Sequence, residues 1–186
     1  RIEIVQKIQG TQKDSNDNNQ NLNYPNLDKV LKETYQANSI SANSNSLYDS
    51  YIRAIRWASD RIDKYGVIGF ITNAGWIESN SADGMRKCLQ EEFSSIYVFH
   101  LRGNARTSGE LRRKEKDNVF GMGTRTPIAI TIMVKNPEAR EHGKIYFYEV
   151  GDYLTKEEKL EKIASLKSIE TITQQGLWQS IVPDKH

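Results

Sequence analysis

The residues best suited to contact a ligand form a basic cluster between Arg102 and Arg125. Residues 102–117 hold six lysines and arginines against three acidic residues, a local net charge of +3, although the whole chain carries only +2. The basic side chains of the cluster are Arg102, Arg106, Arg112, Arg113, Lys114, Lys116 and Arg125. Arginine outnumbers lysine here, as bidentate contacts to phosphate or guanine favour. The pattern indicates a nucleic-acid contact, and a solvated charged loop has the same composition.

Two tyrosines offer a second candidate contact. Tyr48 and Tyr51 fall in the first turns of a predicted helix that leads into an apolar run. In α/β folds ligands bind where strand ends meet helix starts, so an aromatic face there suits a purine. Core packing explains Tyr51 equally well.

Other kinds of chemistry find no support in the sequence. The chain has no Gly-x-Gly-x-x-Gly, no P-loop, no nucleophile-elbow serine and no His-Glu-x-x-His motif. A single cysteine, Cys88, excludes a disulfide framework, and only three histidines accompany it. We therefore expect no metal site, and a reducing cytoplasm as the location.

Length and composition describe one domain or a fragment of a larger one. The 186 residues are 37% hydrophobic, enough for a sizeable core. No apolar run approaches the roughly 20 residues of a membrane helix. The chain starts at Arg1 without a signal-peptide pattern, which suggests an excised piece.

The elements that must position these residues alternate between helices and strands. Residues 1–45 are rich in asparagine and serine and predict a largely irregular segment, interrupted by a short helix near Leu27–Tyr35. From residue 46 the pattern is regular. It predicts helices at 46–65, 82–93 and 155–167, and strands at 66–73, 95–102, 127–135 and 144–150.

The strand patterns predict half of a doubly wound α/β sheet over residues 46–186. The run GVIGFITN (66–73) is apolar on both faces, as in a strand buried inside such a sheet. Strands 127–135 and 144–150 lie close enough in sequence to pair as an antiparallel hairpin at the end. An isolated half-sheet exposes an apolar edge or face, which predicts self-association.

Several segments resemble a known family in sequence. SLYDSYIRAIRWASDRIDKYGVIGFITNAGWI (46–77) resembles the stretch after the catalytic motif of N6-adenine DNA methyltransferases of the Asn-Pro-Pro-Tyr class. NDNNQN (16–21), SADGMRKCL, LRGNARTSGELRRKE and FGMGTRTPIAITIMVKNP extend the resemblance over residues 14–183. Together they resemble the methyltransferase region of large single-chain restriction-modification enzymes, which also carry a nuclease and a helicase-like translocase.

The resemblance implies the C-terminal half of a Rossmann-like methyltransferase sheet. It also implies S-adenosylmethionine as methyl donor and double-stranded DNA with a flipped adenine as substrate. Matched positions place Leu47, Tyr48 and Tyr51 at the cofactor, and Asn73 and Trp76 in the active-site wall. The basic cluster, Arg102 to Arg125, matches a DNA-facing loop. The implied partners within the same polypeptide are the N-terminal half of the methyltransferase domain, the translocase and a target-recognition domain.

The sequence departs from that family at its catalytic centre. No Asn-Pro-Pro-Tyr occurs, and the expected register holds residues 5–8, Val-Gln-Lys-Ile. The glycine-rich cofactor loop is also missing, and Met133 to Lys135 stand where a base-stacking aromatic is expected. We assign no catalytic residue and predict that the chain alone does not methylate DNA. Two alternatives stay open: a non-catalytic DNA-binding module, and a protein-interaction piece, each descended from a methyltransferase.

Overall fold

The computed structural model describes residues 24–43, 45–121 and 123–181, so NDNNQN and the register at 5–8 lie outside the described residues. The α-helices are α1 Pro25–Leu31, α2 Ser50–Ser59, α3 Gly75–Glu78, α4 Asp83–Glu92, α5 Gly109–Glu115, α6 Lys156–Leu166 and α7 Ile169–Gln174. A π-helix, Lys32–Gln36, continues α1, and 3₁₀ turns cover Asn45–Tyr48 and Asn80–Ala82. The strands are β1 Gly66–Asn73, β2 Ser95–His100, β3 Ile128–Lys135, β4 Lys144–Glu149 and β5 Gln179–Ile181.

These strands form one mixed sheet in the order β1-β3-β2-β4-β5. β3 runs antiparallel to both β1 and β2, whereas β2 and β4 are parallel and β5 is antiparallel to β4. The predicted α/β class is confirmed. Direct pairing of 127–135 with 144–150 is wrong, because β2 lies between them and pairs with both. β2 occupies the centre of the sheet, where Ile96 and Val98 are fully buried, and this placement displaces the local hairpin.

β1 is an edge strand in the described sheet, which corrects the prediction that it is buried on both faces. Its residues alternate in exposure, and Val67 and Ile71 are 66% and 59% exposed. Sequence alone marked both faces as apolar but could not show that one of them lacks cover. An apolar stripe is therefore present on β1, as expected for half of a sheet.

Two cores lie on opposite faces of the sheet, because successive side chains of a strand point to opposite sides. On β2, Ile96 and Val98 join a core with helices α1, α2 and α4, while Phe99 joins a second core with α6 and α7. Leu31 and Tyr35 are fully buried in the first core. Residues 25–36 are therefore helical and pack against the sheet through Leu31 and Tyr35.

A local capping signal sets the start of α6, whereas tertiary packing sets the end of α2. Thr155 and Glu158 form the predicted capping box at the start of α6. The helix expected to reach residue 65 instead ends at Ser59. The chain then folds back, and a Cβ built on Gly66 would lie 2.5 Å from Ile62 Cδ1. Packing of Ile62 over Gly66 replaces the last two helical turns.

Among the described residues no helix is long and apolar enough to cross a membrane.

Candidate nucleic-acid interface

The basic cluster and the predicted active-site wall lie at the same edge of the sheet. β1, β2 and β4 point in one direction, so their carboxyl ends share that edge. The loop that leaves β2 there returns at Pro127 to enter β3. The Ala74 amide, just after β1, donates to the Pro127 carbonyl oxygen at 2.9 Å. The edge therefore combines the end of β1 with both roots of the 103–126 segment, hereafter the basic loop.

Asn73 and Trp76 occupy this edge in defined roles. The Asn73 side-chain oxygen accepts a hydrogen bond from the Gly75 amide at 2.8 Å, which fixes the turn into α3. Trp76 is only 1% exposed, and its ring N–H has no partner within the described residues. Arg86 donates to the Trp76 carbonyl oxygen at 2.7 Å. Asn73 is thus partly exposed at this edge and Trp76 is buried, and their role in an active-site wall stays a prediction.

Arg102 does not face outward, contrary to its predicted role in contacting DNA. Its guanidinium bonds to Glu149, lies 2.9 Å from an Asp152 oxygen and 3.6 Å from a Glu115 oxygen. Its backbone φ is +56°, a conformation that non-glycine residues rarely adopt. Three acidic groups hold Arg102 beneath the basic loop, so its charge is not available to phosphate.

Glu149 also contacts a buried histidine. His100 Nδ1 lies 3.5 Å from a Glu149 side-chain oxygen. The His100 ring first, and Arg102 next, hold the pKa of Glu149 below its ordinary value against the opposing effect of burial. Glu149 therefore stays ionised and keeps the end of β4 attached to Arg102.

Asn118 and Glu115 organise the basic loop internally. The Asn118 side chain donates to the carbonyl oxygens of Gly103 at 3.2 Å and Thr126 at 2.9 Å, which ties the two roots together. It also accepts from the Phe120 amide at 3.0 Å. The Glu115 side chain accepts from the Asn104 amide at 2.8 Å. These bonds give the loop a fixed shape in the described residues.

The exposed charge of the loop comes from a subset of the predicted residues. Arg106 and Arg125 are exposed, and neither forms an ion pair within residues 24–43, 45–121 and 123–181. The Ala105 amide donates to the Arg125 carbonyl oxygen at 3.0 Å, which places these two arginines on adjacent chain segments. Arg113 is exposed but lies 2.5 Å from a Glu110 oxygen.

Two further basic side chains of the loop, Lys114 and Arg112, are partly engaged. Lys114 lies 3.2 Å from an Asp152 oxygen, and this carboxylate first of all raises the pKa of the lysine. Arg112 donates to the Lys116 carbonyl oxygen at the end of α5. Both side chains are partly exposed.

The sequence analysis did not identify two exposed apolar residues of the loop as candidate contacts. Phe120 is 61% exposed and Leu111 is 62% exposed, both among the basic residues. Phe120 follows Asn118, whose bond to the Phe120 amide sets the turn. The signal was available, because an aromatic inside a glycine-containing basic loop suits base stacking.

The predicted cofactor residues lie on the helical side of the first core. Leu47 is 1% exposed, while Tyr48 and Tyr51 are partly buried and pack against that core. The Tyr48 hydroxyl donates to Gln36 at 3.0 Å, and the Arg53 guanidinium lies 5.6 Å from the Tyr48 ring centre. Burial raises the pKa of the Tyr51 hydroxyl well above its ordinary value.

A link between these residues and Trp76 runs through two serines. The Ser46 and Ser81 hydroxyls lie 2.6 Å apart, which joins the turn before α2 to the turn after α3. Leu47 and Trp76 belong to the same core cluster. The structure therefore brings the cofactor candidates and the wall candidates into neighbouring segments.

The chain resembles solved structures but no family model, and a search of curated proteins finds no match. A nuclease-deletion mutant of the Type ISP restriction-modification enzyme LlaGI, in complex with a DNA substrate mimic, is 44% identical with a TM-score of 0.82 over 89% of this chain. The ATP-dependent Type ISP enzyme LlaBIII, bound to DNA, is 40% identical with a TM-score of 0.81 over 88%. The DrdV–DNA complex is 34% identical with a TM-score of 0.75 over 87%.

The chain spans only 15%, 10% and 15% of those three solved chains. Identity of 40–44% along almost nine-tenths of this chain nevertheless goes well beyond a shared fold. The resemblance to restriction-modification enzymes is thereby confirmed, while the methyltransferase class stays a prediction. The chain is homologous to one region of the Type ISP restriction-modification enzymes.

Proposed function

We propose that the chain is part of the DNA adenine methyltransferase domain of a restriction-modification enzyme and that it contacts double-stranded DNA through the basic loop. One observation carries the proposal. Two exposed arginines without carboxylate partners in the described residues, Arg106 and Arg125, lie at the sheet edge that also holds Asn73 and Trp76. The homologous enzymes LlaGI and LlaBIII are solved with a DNA substrate mimic and with DNA.

Arg106 and Arg125 are the phosphate contacts of this proposal. An arginine without a competing carboxylate can present its planar donor fork to a phosphate without first breaking an ion pair. Arg113 joins them only when it leaves Glu110, its ion-pair partner on α5. Lys114 and Arg112 add positive potential close to the duplex.

The base itself would meet the wall residues and Phe120. An exposed aromatic ring offers a face on which an unstacked base can lie, independent of base identity. Asn73 stands at the end of β1, next to the root of the same loop. A flipped adenine at this edge would therefore meet an aromatic face, an amide side chain and nearby arginines.

S-adenosylmethionine is the cofactor of the proposal, and the residues present fit one part of it. Tyr48 and Tyr51, both partly exposed, offer aromatic faces that suit the adenine ring of the cofactor, while Leu47 is buried in the core beside them. The bound cofactor supplies the methyl group that is transferred to adenine N6. In this proposal the chain's own residues orient and enclose the reactants, and no side chain transfers a proton.

The chain would act within a larger assembly. LlaGI and LlaBIII are about six and nine times as long as this chain, so translocase, target-recognition and remaining methyltransferase elements are the proposed partners in the same polypeptide. We expect no methyl transfer by the 186 residues alone. A non-catalytic DNA-binding module is the second candidate, and it shares the loop but not the cofactor surface.

A salt titration of DNA binding tests the loop. We expect the chain to bind a short duplex with an affinity that falls steeply with salt. Arg106→Gln and Arg125→Gln should each reduce the slope of log K against log salt by about 1. Arg140→Gln is the matched control, because Arg140 is exposed on the 136–143 turn at the opposite edge of the sheet. Equal losses in all three variants, or no binding at low salt, would contradict the proposal.

Photocrosslinking of methyl-labelled S-adenosylmethionine tests the cofactor surface. In the complete methyltransferase domain we expect saturable label on the peptide that contains Leu47 to Tyr51, competed by S-adenosylhomocysteine and reduced in Tyr48→Leu. The peptide that contains Tyr65, an exposed tyrosine, serves as the internal control. DNA binding together with absent or unsaturable label would favour the DNA-binding module.

A further inference from the structure

Lys159 is a fully buried lysine beneath the basic loop. It lies on α6, is 0% exposed, and donates from its ammonium group to the carbonyl oxygens of Glu115 at 2.9 Å and Asp117 at 2.6 Å. The last carbonyl groups of a helix lack partners within the helix, so Glu115 O is one that α5 cannot satisfy itself. Lys159 therefore satisfies acceptors at the end of α5 and just beyond it.

The chain makes this contact at the cost of burying a charge. Burial is the first cause that lowers the pKa of Lys159, to about 8, while Glu115 and Asp117 oppose the shift. A side chain that only filled space at this position would be apolar. The lysine instead supplies donors where the backbone turns, at Lys116 with φ +42°.

α6 holds Lys159 in place. The capping box of Thr155 and Glu158 fixes the start of the helix one turn before the lysine. Leu166 of the same helix is buried in the second core. The preceding turn also reaches α5, because the Tyr153 amide donates to the Lys114 carbonyl oxygen at 2.8 Å.

A second anchor acts on the same loop from β2. Arg102 contacts Glu115, whose side chain accepts from the Asn104 amide. The inner side of the loop is thus held by Lys159 and Arg102, and its outer side carries Arg106 and Arg125 in the exposed positions.

From these contacts we infer that Lys159 is a positioning residue for DNA binding, which holds the end of α5 so that the outer arginines meet the duplex in one arrangement. The inference rests on the proposed function. It assigns Lys159 no contact with DNA, and the neighbouring Arg102 acts in the same way.

Hydrogen exchange of loop amides, measured without DNA, tests the positioning directly. Lys159→Met keeps the length of the side chain but removes the donors. We expect amides of residues 104–120 to exchange about tenfold faster or more, because a charged donor to two backbone carbonyls of the loop is lost. Amides of β2 and β3 should keep wild-type protection. Lys162→Met is the control, since it removes the same charge from an exposed position of α6.

A DNA titration then separates positioning from contact. Lys159→Met should lower affinity about tenfold at each salt concentration and leave the salt slope unchanged, because no phosphate contact is lost. A slope reduced by about 1 would make Lys159 a direct contact and would overturn the inference. Unchanged loop exchange in Lys159→Met would overturn it as well.

Arg102→Gln carries the same test if Lys159→Met fails to fold, as judged by circular dichroism. It should loosen the loop amides and leave the salt slope unchanged, and unchanged loop exchange in a folded Arg102→Gln would refute the anchor. The two proposals fail separately. Absent DNA binding by the wild-type chain removes the proposed function, whereas hydrogen exchange decides the positioning without any DNA.

Discussion

Replacement of Gly84 by alanine tests whether the helical segment before residue 45 folds as one unit with the sheet. Gly84 lies in the first turn of α4, against the end of the π-helix. A Cβ at this position would lie 2.0 Å from the Tyr35 carbonyl oxygen and 2.7 Å from the Ser39 amide nitrogen. Both are backbone atoms, and Asp83 fixes them further by accepting from the Ile40 amide at 2.9 Å. No flexible side chain can move aside.

We expect a loss of stability because the added methyl group can be accommodated only if backbone atoms move. Overpacking of side chains typically costs about 1–3 kcal/mol, and separation of two packed backbone segments belongs at or above the upper end, about 3 kcal/mol. For a chain of this size that corresponds to a melting temperature lower by about 6–12 °C. Urea unfolding followed by circular dichroism measures the free energy, and a thermal scan measures the melting temperature.

Gly69→Ala is the matched control, because a Cβ there would meet nothing within 4 Å. We expect a change within about 0.5 kcal/mol, since surface substitutions of this kind are nearly neutral. A Gly84→Ala variant as stable as wild type would refute the reasoning. It would mean that residues 24–43 move away from α4 without loss to the rest of the domain.

Three further predictions concern the loop and its anchors. The free energy of unfolding of wild type, compared with Lys159→Met, should rise by about 2 kcal/mol between pH 7.5 and 9.5. The reason is that the lysine has a lowered pKa, about 8, in the folded chain, so the unfolded chain binds more protons between these two pH values. The same change in unfolding free energy with pH in wild type and in Lys159→Met, measured by urea unfolding, would contradict it. Glu149→Gln should have a lower free energy of unfolding than wild type at pH 7. This difference in unfolding free energy should disappear as the pH falls through and below 4.5. A carboxyl whose pKa is lowered in the folded state contributes stability only while ionised, and a difference that is constant down to pH 3 would argue against this. Phe120→Ala should weaken DNA binding by about 1–3 kcal/mol without a change in salt slope or unfolding free energy, as fluorescence anisotropy and urea curves can show.

The sequence predicted those elements whose signals are local. The bounds of β1 agree residue by residue, because glycine and asparagine flank a continuous apolar run. The capping box at Thr155 is likewise complete within four residues. In both cases the residues that mark the ends lie within or beside the segment itself, so the pattern and the structure coincide.

The sheet order depends on distant partners and was not predictable in the same way. Met133 of β3 pairs with Ile96 of β2 and with Ile68 of β1, which lie 37 and 65 positions away in sequence. The short connection between β3 and β4 favoured the prediction that these two strands pair as a hairpin. Burial of β2 between β3 and β4 contributes more to the stability of the fold than a short β3–β4 connection would, because the entropy cost of closing a loop grows only slowly with its length.

In the candidate site, too, the sequence predicted the local feature but not the contacts that depend on distant residues. Counting arginines located the loop, since the local net charge of +3 is a property of the sequence. It could not separate Arg102, held by carboxylates from β4, the following turn and α5, from Arg106 and Arg125, which have no such partner within the described residues. The carboxylates that neutralise Arg102 include Glu149 and Asp152, which are more than 45 positions away and reach it only through the parallel pairing of β2 with β4. The accessible charge at a functional edge is therefore set by the sheet topology, and the loop sequence sets only how much charge is available to be divided between anchoring and binding.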